Sequence, residues 1–134
     1  MESCLFSIGG QPLECVHSYC HLGHIITSKF NDTDDIFNRR IHFIGQVNSL
    51  LCFFNKMDLL VKIKLFKSFC SSLYGCELWS LSSNNVDSFC SAWRTALRRL
   101  LSLPFNAHNF LLPFLSDSLP ILFEICKRSV RFIL

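Results

Sequence analysis

No run of apolar residues in this chain approaches the ~18 that a membrane-spanning helix needs. Pro113, Asp117 and Pro120 break the most apolar stretch, Phe110 to Phe123. The amino end, Met1 to Gly10, carries an acid at Glu2 and no cationic segment ahead of a long apolar run, so it does not read as a secretory signal. A glycine-rich phosphate loop is missing as well. Gly9-Gly10 has neither a third glycine in register nor a following Lys-Ser/Thr pair. Internal repeats and low-complexity segments are absent. Excess charge is scarce too: the net charge is +3, which permits contact with nucleic acid but does not argue for it.

Apolar residues are plentiful. Half of the 134 residues are hydrophobic and fourteen are Phe, a composition far from disorder. One domain is expected, and a chain of this size buries roughly two-thirds of its unfolded surface. So much Phe implies either a very dense core or apolar faces intended for another surface. Eight cysteines are spread along the chain, several of them on apolar helical arcs, where a reduced Cys acts as a small hydrophobe. Without a secretory signal they read as intracellular thiols, in cytoplasm or nucleus, and not as a disulfide frame.

Periodicity divides the chain into a short β region and a longer helical one. Cys4 to Val16 reads as a hairpin around Gly9-Gly10, with a second strand from Pro12. His21 to Ile26 is a third strand candidate with Gly23 inside it. Asp32-Thr33-Asp34-Asp35 closes a polar link. Its carboxylates would either hold a metal or cap the helix that opens at Ile36, and the context favours the cap.

Ile36 to Phe54 is the first long helix, with Ile36, Phe43, Ile44, Val47, Leu50, Leu51 and Phe54 on one face. Asp58 caps the central segment, whose apolar arc holds Leu59, Ile63, Phe66, Phe69, Cys70, Leu73 and Tyr74. If that helix runs on through Trp79, Glu77 falls on the arc. Arg40 lies inside the apolar face of the first helix. Arg40 and Glu77 are therefore expected to form a structural ion pair, since a buried acid needs a partner; the competing reading lets Arg40 reach the surface along its stem. A third helix spans about Val86 to Ser102, with Pro104 behind it. A short helix near Ala107 to Leu115 and a last one from Pro120 follow. The apolar pattern is intact at Leu134, which reads as a truncated helix. The expected fold class is α+β, mostly α: a short N-terminal β hairpin followed by four to five helices.

Candidate chemistry is sparse. Cys15, His17, Cys20, His21 and His24 crowd five potential zinc ligands into ten residues. Strand alternation sends Cys15, His17 and His21 to one face and Cys20 and His24 to the other, so no metal site and no cofactor is expected. No local Cys–His motif supports a cysteine nucleophile, and no catalytic residue is assigned. The basic residues are Lys62, Lys64 and Lys67 on the central helix and Arg94, Arg98 and Arg99 on the third. Two such helices side by side are able to track a phosphate backbone, whereas a solvated face is the plainer reading.

Several blocks resemble, in order, the end of the reverse transcriptase domain of non-LTR (LINE-type) retrotransposons, an RNA-directed DNA polymerase. The first runs Phe6-x-Ile8-Gly9-Gly10, Leu13, Val16-x-Ser18-Tyr19-x-x-Leu22-Gly23-x-x-Ile26. The second is Asp35-Ile36 with Arg40-Ile41. The third leads from Lys64 and Lys67-Ser68 into Leu73-Tyr74-Gly75-x-Glu77-x-Trp79. The fourth is Leu97 to Leu101 with Leu103-Pro104, then His108, Leu111-Leu112, Leu119-Pro120-Ile121 and Arg128.

This resemblance implies an end-of-palm, primer-grip-like hairpin over 1–28, a thumb-like three-helix region over 29–104 and truncated post-thumb helices over 105–134. His21, Leu22 and Gly23 would form the primer-grip tip, although Cys20-His21 replace the basic and aromatic residues usual there. Lys62, Lys64, Lys67, Arg94, Arg98 and Arg99 would hold the backbone of an RNA/DNA duplex. The family's catalytic aspartates lie upstream of the hairpin. The resemblance thus implies a noncatalytic fragment, partnered by a polymerase palm that it does not contain, and no membrane. The competing expectation is a helical protein-interaction module, or the product of a degenerate reading frame.

Overall fold

The structure, a computed structural model, describes residues 6–134. Cys4, where the first hairpin is expected to begin, lies outside the described residues. The fold is α+β and mostly helical, two small antiparallel hairpins leading into five α-helices.

Strands β1 (Ser7–Ile8) and β2 (Gln11–Pro12) pair across Gly9-Gly10, whose φ angles of 61° and 83° suit a tight two-residue turn. Strands β3 (Ser18–His21) and β4 (His24–Thr27) form the second hairpin, with His21 opposite His24 and Ser18 opposite Thr27. The single strand expected over His21 to Ile26 is therefore corrected: its middle is a turn. Leu22 takes φ 50° and Gly23 φ 82°. Leucine disfavours that region, so the turn was masked in the sequence.

Helix α1 (Thr33–Phe54) starts three residues before the expected Ile36, with Asp34 and Asp35 in its first turn, and ends at the expected Phe54. Asp58 caps α2 (Leu59–Leu65), its side chain accepting from the Leu60 amide at 3.0 Å. The helix then loosens into a π turn, Phe66–Cys70. It does not run through Trp79. Ser71 leaves helical geometry, Gly75 turns left-handed at φ 83°, and a 3-10 turn follows at Cys76–Leu78. Ser71-Ser72 and Gly75 weaken a helix, and apolar spacing alone did not reveal the break. As a result Leu73 is buried from a loop, while Phe69 and Tyr74, expected on the core face, point outward. Helix α3 (Asn84–Leu100) is capped by Ser83 Oγ, which accepts from the Asn85 amide at 3.2 Å. Short α4 (Leu111–Ser116) and α5 (Ile121–Ile133) complete the chain.

One core joins these elements. Phe43 of α1, Phe66 of the π turn and Phe89 and Trp93 of α3 interlock, with Phe43 and Trp93 stacked at 5.0 Å and Phe66 edge-on to Trp93 at 5.1 Å. Such contacts add about 0.5–1.5 kcal/mol each beyond burial. Leu112, Ile121 and Ile125 extend the same core into the last two helices. Cys70, Cys76 and Cys90 fill gaps in it as buried free thiols. Cys15 is disulfide-bonded, which corrects the reading of all eight cysteines as thiols. Among the described residues no helix is long and apolar enough to cross a membrane.

Candidate functional site

The most tightly specified place in the molecule is a polar junction between β4, the start of α1 and the loop 73–80. Asp35 stands at its centre, 6% exposed. Its Oδ1 accepts from the Ile25 amide at 3.1 Å. Its Oδ2 accepts from Trp79 Nε1 at 2.9 Å and faces His24 Nδ1 at 3.3 Å. The carboxylate thus meets the rule that a buried charge must be hydrogen-bonded. Asp32 Oδ2 accepts from the Ser80 amide at 2.7 Å. Neither Asp32 nor Asp35 caps its own helix, since Asp32, the N-cap residue, makes no side-chain cap bond. Both instead tie α1 to other segments.

Gly75 completes the junction. A Cβ placed there would fall inside the His24 ring, and the left-handed φ already favours glycine. The His24 ring also packs against Tyr74 at 5.2 Å between centroids. Sequence reasoning named Asp35 as a helix cap or metal ligand, His24 as a possible zinc ligand and Trp79 only within a resembling block, and did not join the three. A signal was present: Asp35 precedes Phe43 by eight residues, which places a carboxylate on the core stripe of α1.

The expected Arg40–Glu77 ion pair is not formed. Among the described residues the basic–acidic side-chain contacts are His24–Asp35 and Arg128–Glu124. Arg40 Nε is buried without a hydrogen-bond partner. Glu77 borders a cleft with Glu124, Arg128 and Arg131. The bridge between α1 and the loop comes from Arg39, whose Nη2 donates to the Tyr74 carbonyl at 3.0 Å. The break at Ser71 removes Glu77 from the arc on which the expected pairing depended.

The six basic residues do not form a bare stripe. Lys62 is buried, at 8% exposure. Lys67 Nζ donates to the Asp117 carbonyl. Arg98 holds the loop before α4, donating to the Ala107 carbonyl through Nε at 3.2 Å and Nη2 at 3.1 Å, and to Asn109. Arg99 Nη1 reaches Asn48 Oδ1 on α1 at 2.8 Å. Lys64 and Arg99 are exposed, whereas Arg94 and Arg98 are half-buried on the side of α3 that faces the segment before α4. His21, Leu22 and Gly23 sit at the exposed tip of the second hairpin.

Among the described residues no group of three or more His, Cys, Asp or Glu side chains converges for a metal. Burial pushes the Cys70 thiol up to about 11 and the Cys76 thiol up to about 12, and raises that of Cys90. These thiols are held in the protonated, unreactive form. The chain matches no family model, no curated protein and no solved structure.

Proposed function

We propose that this chain is the primer-grip hairpin and thumb part of a non-LTR-type reverse transcriptase, and that it holds an RNA/DNA duplex by the phosphate backbone. One observation carries the proposal. Residues of three of the resembling blocks, distant in sequence, depend on one another at a single junction. The Leu22-Gly23 turn delivers His24, the second block supplies Asp35, and the third supplies Tyr74, Gly75 and Trp79. A structural junction of this kind gives the residues of these blocks a common role in holding the hairpin to the helices, with no part in catalysis. In this proposal the chemistry belongs to a palm bearing the catalytic carboxylates, and the work is done inside the cell.

Lys64, Lys67 and Arg99, exposed on neighbouring helices, are the side chains best placed to meet phosphates. Fluorescence anisotropy with a labelled RNA/DNA hybrid tests the proposal. Affinity is expected to fall steeply with salt, and Lys64→Gln or Arg99→Gln each to reduce the salt slope by about 1. Binding that ignores salt, or no binding, overturns it.

A second reading, a protein-interaction module, is favoured by the apolar groove along α1 and the π turn. Ile41, Phe53 and Phe69 line this groove and remain exposed. Absence of salt-dependent duplex binding would bring that reading forward.

A further inference from the structure

A cavity of about 230 Å³ opens between α3, the start of α4 and the start of α5. Its inner wall is apolar and well buried: Trp93 and Leu97 from α3, Leu112 from α4 and Ile121 from α5. Arg94 is the only ionisable side chain that lines it. Arg94 is half-buried, and among the described residues it makes neither a hydrogen bond nor an ion pair. Its neighbour Arg98 differs, being committed to Ala107 and Asn109. Asn109, at the cavity mouth, therefore already serves another guanidinium.

The Arg94 guanidinium, half-buried at the edge of an apolar wall and committed to no protein acceptor, is free to take an anion in place of water. The walls demand hydrocarbon. The volume falls below the ~300–1,000 Å³ of sites for drug-sized ligands. We infer that this cavity binds a small apolar carboxylate, with its hydrocarbon part among Trp93, Leu97, Leu112 and Ile121 and its carboxylate on Arg94. A phosphodiester backbone would bury no apolar part there, so the site is separate from the proposed duplex surface.

Octanoate is the probe, with octanol as its uncharged counterpart. Indole N–H signals of the full chain distinguish Trp93, in the cavity wall, from Trp79 at the junction. Octanoate is expected to shift the Trp93 signal and leave Trp79 in place, and octanol to bind about tenfold more weakly. Arg94→Gln is expected to lower octanoate affinity to the octanol level, and Arg94→Lys to retain part of it. An unmoved Trp93 signal, equal binding of octanol and octanoate, or parental octanoate affinity in Arg94→Gln overturns the inference. If Arg94→Gln does not fold, Leu119→Trp at the mouth replaces it, with loss of the octanoate shift expected and its retention contrary. Displacement of octanoate by an RNA/DNA hybrid also overturns it, because the cavity would then belong to the duplex surface.

Discussion

Trp79 donates its indole N–H to the carboxylate of Asp35 at 2.9 Å, joining residues 44 positions apart. The same carboxylate serves the Ile25 amide and His24, so one buried side chain ties β4, α1 and the loop 73–80 together. Asp35→Ala leaves three polar partners without their acceptor at a largely buried position and is expected to cost about 3 kcal/mol or more. Asp35→Asn keeps an acceptor oxygen and is expected to cost distinctly less. Urea denaturation compares them, and equal costs would mean that the hydrogen bonds do not hold the junction.

Gly75 and His24 make a second, steric link. Gly75→Ala meets both the left-handed backbone penalty, about 1–2 kcal/mol, and the His24 ring. Removing the ring first, in His24→Ala, is expected to shrink the cost of Gly75→Ala to the backbone part alone. A double-mutant cycle measures this. Strict additivity would show that the two residues do not touch.

Arg40 offers a test with the opposite sign. Its Nε is buried and unpartnered. Arg40→Met keeps the apolar stem and removes the unmatched donor. The thermal midpoint is expected to stay level or rise, since the change removes an unsatisfied buried donor while keeping the apolar stem packed. A loss of about 3 kcal/mol would instead reveal a partner for Arg40.

Alkaline conditions act on the core thiols. Burial raises Cys70 to about 11 and Cys76 to about 12 from an ordinary 9.0. Between pH 9 and those values the unfolded chain has lost protons that the folded chain retains. Stability is therefore fully present below pH 9 and declines as pH rises towards 11–12, by up to about 1.4 kcal/mol per thiol per pH unit. Denaturation midpoints across that range check the slope, and Cys76→Ala is expected to flatten it.

Helix starts and ends were legible where local chemistry sets them. Asp58 caps α2 as its spacing implies, and Pro104 lies just past α3. Of the apolar stripe Val86, Phe89, Cys90, Trp93, Leu97, Leu100 and Leu101, the first six are buried as the helical period requires, and Leu101, just past the helix end, is half-buried. The break after Cys70 was less legible, because a stripe counts apolar residues without asking whether a serine pair and a glycine end the helix beneath them. Similarly, the Leu22-Gly23 turn was hidden by a leucine in a conformation that leucine disfavours.

The sequence by itself determined the helical class, the order of elements and most of the core, because hydrophobic period and capping act over a few residues. It also contained the cations and the acids. Which acid meets which donor was decided only by the tertiary structure. Arg40 and Glu77 are the pair that helical arcs would choose, yet Asp35 takes Trp79 and His24, and Arg39 takes the Tyr74 carbonyl. Lys62 is buried and Arg98 is spent on a loop. Partner choice depends on distances between segments tens of residues apart, and these exist only after the chain turns back at Gly75 and α1 packs on α3.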